Sequence, residues 1–421
     1  MATATQHDTG APPRSFRGRL RLIGPGLIAA ATGVGAGDIV AALAAGSELG
    51  LALLWTILLG AAIKFGLAEG VGRWHLASGS TILTGWRSLG RWTMWYFGVY
   101  VMIWGFSYGA AAMSSTGLAL NALVPSMSVR AWGILSGLVG FALVLLGRYR
   151  FFERLMTVLV GVMFITVVGS AIAVLSEAGS LLSGLRPQLP ADSIVYVLGL
   201  LGGVGGSITL AAYGYWLREK GWRQPAWMPM MRLDNGVAYV ITAVFVVAML
   251  IMGAALLFNS GQEIGGEEGI VAFGELISER LGDDVRVLFL VGFLSAAMTS
   301  LLGVWNGVSL LFADFVRVVR GVPDEQADTY VNETSATFRF YVAWLTFPPM
   351  ALLFLNQPIA LVLVYAALGA IFMPFLAFTL LWLLNRRVDG PHRNGWLSNA
   401  TLSFSLVLFL VLAVNEIVTA G

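Results

Sequence analysis

The chain has 421 residues, of which 57% are hydrophobic and 11% are charged, whereas soluble domains carry about 25% charged residues. With a mean hydropathy of +0.80, it would expose large apolar surfaces in water, so the composition excludes an ordinary soluble protein and predicts an integral membrane protein. Cysteine is absent, which excludes disulfides and thiolate metal sites. The formal net charge of +2 decides nothing by itself. We expect no cofactor and no nucleic-acid partner.

Apolar runs long enough to cross a bilayer recur along the chain, after a polar segment that we predict to be a disordered cytoplasmic tail, residues 1–20. No cleavable signal peptide is evident, because the first apolar run is too long and others follow it. The runs predict about eleven membrane helices, near residues 21–47, 51–74, 93–121, 131–147, 153–176, 194–217, 235–258, 286–315, 339–355, 358–384 and 396–418.

Basic residues are concentrated in the N-terminal tail and in every second connector, while the alternate connectors are short or acidic, as between Glu263 and Asp284. Positive charge marks the cytoplasmic side of a membrane protein. The sequence therefore predicts a cytoplasmic N-terminus and an extracytoplasmic C-terminus, in a prokaryotic inner or plasma membrane. The charges that carry this prediction are Arg14, Arg17, Arg19, Arg21, Arg73, Arg87, Arg91, Arg148, Arg150, Arg154, Arg218, Lys220, Arg223, Arg232, Arg317, Arg320, Arg386, Arg387 and Arg393.

A glycine run at 33–37 in the first predicted helix is echoed at 203–207 in the sixth. Because five helices separate the two copies, the two halves must have opposite orientations, which is an inverted repeat. We predict a first five-helix repeat at 21–176, an inverted second repeat at 177–385, and a connector with an eleventh helix at 386–421.

Two glycine-interrupted helices at matching positions are typical of a transporter site, where unwound backbone exposes carbonyl and N–H groups. Asp38 directly follows the first run, and a carboxylate inside a membrane is costly and therefore indicates function. We predict Asp38 as a metal ligand, although capping of a half-helix would also explain it. The predicted substrate-binding residues are Gly33, Gly35, Ala36, Gly37, Asp38, Gly203, Gly205, Gly206, Ser207 and Thr209.

Other polar residues inside the spans have simpler interpretations. Lys64 and Glu69 in the second helix are expected to snorkel or to form ion pairs. Asp234 and Asn235 are expected to open the seventh helix, where an acidic residue complements the helix dipole. No nucleophile, paired-carboxylate or nucleotide-loop arrangement is present, so we do not expect an enzyme.

The order of several short motifs resembles the natural resistance-associated macrophage protein (NRAMP) family of divalent-metal transporters, from Leu22 to about Asn415. The resemblance implies a leucine-transporter-type fold with two inverted five-helix repeats and broken first and sixth helices. It also implies secondary-active transport by alternating access. The residues that carry it are Leu22–Leu27, Leu53–Trp55, Ala119–Asn121, Phe152–Arg154 and Met373–Phe375.

The motifs that bind metal in this family are missing here. The family's first-helix Asp-Pro-Gly-Asn aligns with residues 35–38, so its metal-binding Asp is Gly35 and an Asp replaces its Asn. The sixth-helix Met and His are lost, and acidic residues of the family's proton path align with Gly109 and Ala112. The tenth-helix Gln aligns near Ala366. A missing thioether disfavours softer transition metals, whereas hard cations need oxygen ligands and keep water.

Three hypotheses follow from these features. The first is a divergent NRAMP-like transporter of a divalent cation, Mg²⁺ or Mn²⁺ in largely hydrated form, with a proton as a possible coupling ion. The second is a transporter of a small organic solute, a short carboxylic acid or an amino acid, on the same scaffold with the metal site lost. The third, a membrane scaffold or receptor that transports nothing, does not explain two glycine breaks in register.

Overall fold

In the computed structural model, the regular secondary structure of the described residues is entirely helical. It describes the backbone of residues 12–419 except 14, 21, 147–148, 191–192, 204–205, 259–265 and 356–357. Side chains are described for the same residues except 16, 36–38, 40, 195, 198, 202–203, 266–272, 358–367, 370 and 415–419. The predicted tail lies mostly outside this part of the chain, and its residues 16–20 form a short helix.

Eight α-helices make up the described residues of the first half of the chain. They are α1 (Phe16–Leu20), α2 (Pro25–Gly33), α3 (Ala36–Leu49), α4 (Leu54–Ser78), α5 (Ile82–Ser88), α6 (Arg91–Leu123), α7 (Val129–Leu146) and α8 (Tyr149–Ala173). The second half contains α9 (Leu181–Gly184), α10 (Ile194–Gly203), α11 (Thr209–Glu219), α12 (Met228–Leu256), α13 (Gly266–Leu281), α14 (Asp283–Val319), α15 (Ala327–Tyr330), α16 (Ala336–Thr346), α17 (Pro358–Arg386) and α18 (Trp396–Thr419). A 3₁₀ segment, Pro348–Leu355, extends α16.

Within the described residues, seven helices are long and apolar enough to cross a membrane. The other predicted spans correspond to α6, to α17, and to two pairs of short helices, α2 with α3 and α10 with α11. Both pairs are interrupted at the glycine runs, as predicted. Among the described helices of more than five residues, two were not predicted: α5 lies in the second connector, and α13 occupies most of the stretch interpreted as an acidic connector.

Small residues allow the helices to approach closely. A Cβ atom added to Gly253 of α12 would lie 2.4 Å from the carbonyl oxygen of Leu43 in α3. In return, a Cβ on Gly46 of α3 would lie 2.4 Å from the carbonyl oxygen of Leu250. The backbones of α3 and α12 therefore touch, which is how membrane helices gain packing energy when lipid is as apolar as their side chains.

Apolar side chains cover the outside of the bundle. Along α8, Val158, Ile165 and Ile172 are exposed at seven-residue intervals, and Ile165 is 74% exposed. In water this stripe would be unfavourable, but a bilayer solvates it. The polar side chains that bear on the two breaks are, by contrast, mostly buried inside the bundle.

Candidate functional site

The first break separates α2 from α3. Helix α2 ends at Gly33, Val34 is extended (φ −85°, ψ 93°), and α3 begins at Ala36. Gly33 and Gly35 are buried at this break. Ala36, Gly37 and Asp38 form the first turn of α3, and their side chains lie outside the described part of the chain. Because the helix stops here, carbonyl groups in the last turn of α2 are released from the helical pattern.

The second break separates α10 from α11. Helix α10 ends at Gly203, and α11 begins at Thr209. Gly205 is outside the described residues. Gly206 has a positive φ of +84°, a conformation that glycine adopts without the steric cost that other residues meet.

The two breaks lie directly against each other. A Cβ atom built on Gly206 would lie 3.1 Å from the Cα of Gly33. No side chain separates the two unwound segments at this point. The structure thus brings together residues that are 173 positions apart in the sequence (206 minus 33). Their role in binding substrate stays a prediction.

Thr209 places a hydroxyl group over the second break. Its oxygen would lie 2.3 Å from a Cβ on Gly206. Thr209 is only 3% exposed, and within the described residues its Oγ1 has no hydrogen-bond partner. A buried polar atom without a partner is costly and calls for an explanation. Ser207, which is half-buried, faces α17, with its Oγ 3.1 Å from the position of a Cβ on Gly369.

Hydroxyl groups of α14 bind the carbonyls at the end of α2. Thr299 Oγ1 donates to the carbonyl of Ala31 at 3.3 Å, and Ser300 Oγ donates to that of Thr32 at 3.0 Å. Tyr108 of α6 hydrogen-bonds to Ser300 at 2.7 Å. The sequence analysis missed these three hydroxyls. Their signal was weak, because isolated hydroxyls in membrane helices usually bond within their own helix.

Lys64, which we expected to snorkel or to form an ion pair, also reaches the site. The residue is fully buried, and its Nζ donates to the carbonyl oxygen of Gly206 at 2.5 Å. The ring of Phe409 in α18 lies 5.5 Å from the same nitrogen. Glu69, in contrast, forms ion pairs as expected, with Arg73 at 3.2 Å and Arg232 at 3.0 Å.

Asp234 caps α2 rather than its own helix. It lies in the second turn of α12, which begins at Met228 and not near Asp234 as predicted. Its Oδ1 accepts the N–H of Gly24 at 2.9 Å, and its Oδ2 accepts the N–H of Gly26 at 2.6 Å. The Tyr213 hydroxyl of α11 donates to Oδ2 at 3.0 Å. One buried carboxylate therefore ties both broken spans to α12.

A second polar bridge links α11 and α14 to the segment before α16. Trp216 Nε1 donates to Asn306 Oδ1 at 2.9 Å, and Asn306 Nδ2 donates to Glu333 Oε1 at 2.9 Å. Partial burial, and secondarily the nearby charge of Glu219, raise the pKa of Glu333 to about 7. Asn306 thus serves helix–helix hydrogen bonding.

Gly109, which we predicted to align with an acidic residue of the family's proton path, is closely packed. A Cβ on Gly109 of α6 would lie 2.2 Å from the carbonyl oxygen of Leu345. A carboxylate would not fit there without displacing the backbone of α16. In the described part of the chain, no three His, Cys, Asp or Glu side chains come close enough together to hold a metal ion.

The sequence model of the family described as Natural resistance-associated macrophage protein-like matches residues 26–419. The chain belongs to the NRAMP family. It is 26% identical to the Divalent metal cation transporter MntH of Bacillus subtilis over 434 residues, covering 96% of this chain and 92% of that protein. The resemblance inferred from the motifs is therefore confirmed, and this NRAMP protein is a membrane transporter and not an enzyme.

Solved structures show the fold. A manganese transporter of Eremococcus coleocola, an NRAMP neighbour, aligns with a TM-score of 0.77 at 14% identity, over 98% of this chain and 90% of that one. MhsT, solved in complex with L-phenylalanine, aligns with a TM-score of 0.61 at 15% identity, over 94% and 98%. The predicted leucine-transporter-type fold is confirmed.

Proposed function

We propose that this NRAMP protein is a secondary-active transporter of a divalent metal cation, of the Mg²⁺ or Mn²⁺ type, by alternating access. The cation would pass between the two breaks with part of its water retained. Asp38 would supply the charge, and backbone carbonyls with the hydroxyls of Ser207 and Thr209 would supply oxygen atoms.

The observation that carries the proposal is the buried Thr209 hydroxyl beside the point where Gly206 meets Gly33, because none of the described residues forms a hydrogen bond with it. A ligand or its water would satisfy this oxygen. Hydroxyl and carbonyl oxygens suit hard cations, and Mg²⁺ in particular keeps several waters. The similar proteins reported above include a divalent metal cation transporter and a manganese transporter, which supports a divalent metal cation as the substrate.

Metal flux into proteoliposomes tests the proposal. Purified protein should take up Mn²⁺ or Mg²⁺, and Asp38→Asn should abolish the uptake because it removes the charge at the first break. Asp284→Asn is the matched control. It removes an exposed carboxylate at the start of α14 and should leave uptake unchanged. Uptake that survives Asp38→Asn, in protein that elutes as a folded species, would contradict the assignment of Asp38.

A second candidate, transport of a small organic solute, is favoured by one observation. The Lys64 ammonium donates a hydrogen bond to the Gly206 carbonyl of the second break, so a positive charge of the protein already lies where a transported cation would bind. Together with the N–H groups of the breaks, such a charge suits a carboxylate. MhsT, solved with an amino acid, shares the fold. In this case metals would not bind, and a carboxylic or amino acid would raise the unfolding temperature of the solubilised protein.

We also propose that the chain has a cytoplasmic N-terminus and that its repeats span 21–176 and 177–385, with the eleventh helix in 386–421. The absence of cysteine makes the orientation directly testable. Ser126→Cys and Asp389→Cys each place one thiol at an exposed connector. A membrane-impermeant maleimide added to intact cells should label the first variant and not the second. The reverse pattern would contradict the orientation.

A further inference from the structure

Lys64 is a fully buried cation beside the second break. It lies near the middle of α4, and its ammonium bonds the carbonyl of Gly206. A lysine inside a membrane protein is costly and indicates function by default. One group that it binds is the backbone oxygen of Gly206, which a continuous helix would have used for its own hydrogen bonding.

The same carbonyl lies among the groups that would face the cargo. Gly206 contacts Gly33 of the first break, and the Thr209 hydroxyl, which has no partner in the described part of the chain, lies over it. An ammonium and a divalent cation seek the same kind of oxygen ligand. Both cannot approach one carbonyl in a low-dielectric interior, because like charges at short range repel strongly.

We propose that Lys64 is a specificity-determining residue of this transporter: its ammonium is a tethered cation that competes with the transported divalent cation for the Gly206 carbonyl. This inference rests on the proposed function. Cargo binding drives the ammonium off the carbonyl, and its return helps to expel the cargo. The competition keeps the affinity for a divalent cation low and its release fast.

The test compares Mn²⁺ binding and Mn²⁺ flux for variants of Lys64. Lys64→Met removes the charge and keeps an unbranched side chain. Lys64→Gln removes the charge and keeps a donor for the carbonyl. Both variants should bind Mn²⁺ at least tenfold more tightly by titration calorimetry, and both should have a lower maximal flux in proteoliposomes. A residue that only supported the fold would weaken binding instead.

Two controls isolate the charge at this position. Lys64→Arg keeps the positive charge and should leave the dissociation constant for Mn²⁺ within about threefold of the parent value. Lys220→Met removes the only other lysine of the chain. That lysine forms an ion pair with Glu153, away from the breaks, and its loss should leave Mn²⁺ binding unchanged.

The outcomes separate this inference from the proposed function. Unchanged or weaker Mn²⁺ binding in folded Lys64→Met and Lys64→Gln, with a parent that transports Mn²⁺, would overturn the role of Lys64 alone. A parent that neither binds nor transports Mn²⁺ or Mg²⁺ would overturn the proposed function. In that case, a gain of Mn²⁺ binding in both Lys64→Met and Lys64→Gln would still support Lys64 as the residue that excludes divalent cations. If neither variant bound Mn²⁺, this inference would be overturned too.

Discussion

Removing the Asp234 carboxylate should loosen the start of α2. The two carboxylate oxygens accept the N–H groups of Gly24 and Gly26, and no side chain of α2 itself caps this helix. The charge also faces the positive end of the helix dipole. Asp234→Asn leaves one acceptor oxygen and turns an NH₂ group toward the other amide. The loss of one charge-assisted bond and an unsatisfied N–H together cost about 2–4 kcal/mol of local stability.

Hydrogen–deuterium exchange measures this cost directly. A loss of about 2–4 kcal/mol corresponds to exchange faster by about 30- to 1000-fold in peptides that cover the first turn of α2. Tyr213→Phe removes one neutral donor to Asp234 and should accelerate exchange by about tenfold. Asp284→Asn, an exposed carboxylate without this contact, should have no effect there. Unchanged exchange in Asp234→Asn would refute the reasoning that this carboxylate holds α2 in place.

Three further predictions concern binding, pH and packing. Thr209→Val should keep or raise the unfolding temperature, because it removes a buried oxygen that has no partner among the described residues. The same variant should lower metal flux at least tenfold, whereas Thr209→Ser should retain the flux. In the folded protein the pKa of Glu333 is about 7, against an ordinary value of 4.5. Because the folded state binds this proton more tightly than the unfolded state, the unfolding temperature should fall as the pH rises from 4.5 to 7. Glu333→Gln should make the unfolding temperature less dependent on pH in this range. Gly253→Ala would force α3 and α12 apart and should lower the unfolding temperature markedly, while Gly161→Ala, which meets open space, should not.

The spans and both breaks were predictable from the sequence because their signals are local. A run of apolar residues of membrane length and a glycine cluster inside it can be recognised without knowing what they pack against. The missed helices α5 and α13 had weaker signals. Helix α5 has only seven residues. Helix α13 carries acidic residues at 267, 268, 275 and 279, which we interpreted as a connector although its apolar residues recur at helical spacing.

The partners of the buried charges were not predictable in the same way. Asp234 is 210 residues from Gly24, and Lys64 is 142 residues from Gly206. Nothing near either charge in sequence identifies its partner. An acidic residue close to a predicted helix start suggested a cap for its own helix, and a lysine in a membrane helix suggested snorkelling or an ion pair. Tertiary packing decided which backbone groups the two charges bind.

These two charges share a physical logic that explains their positions. Asp234 binds N–H groups at the start of α2, and Lys64 binds a carbonyl where α10 gives way to α11. Each charge therefore meets the backbone pole of opposite sign, and each pole is available only because the helix begins or is interrupted at that point. A Gly206→Ala variant should test this dependence, because alanine disfavours the positive φ of residue 206. If the break then shifts, Lys64 loses its acceptor, and this loss lowers the stability of Gly206→Ala. The destabilisation caused by Gly206→Ala should therefore disappear when it is combined with Lys64→Met. An equal cost in both backgrounds would mean that the charge and the break are independent.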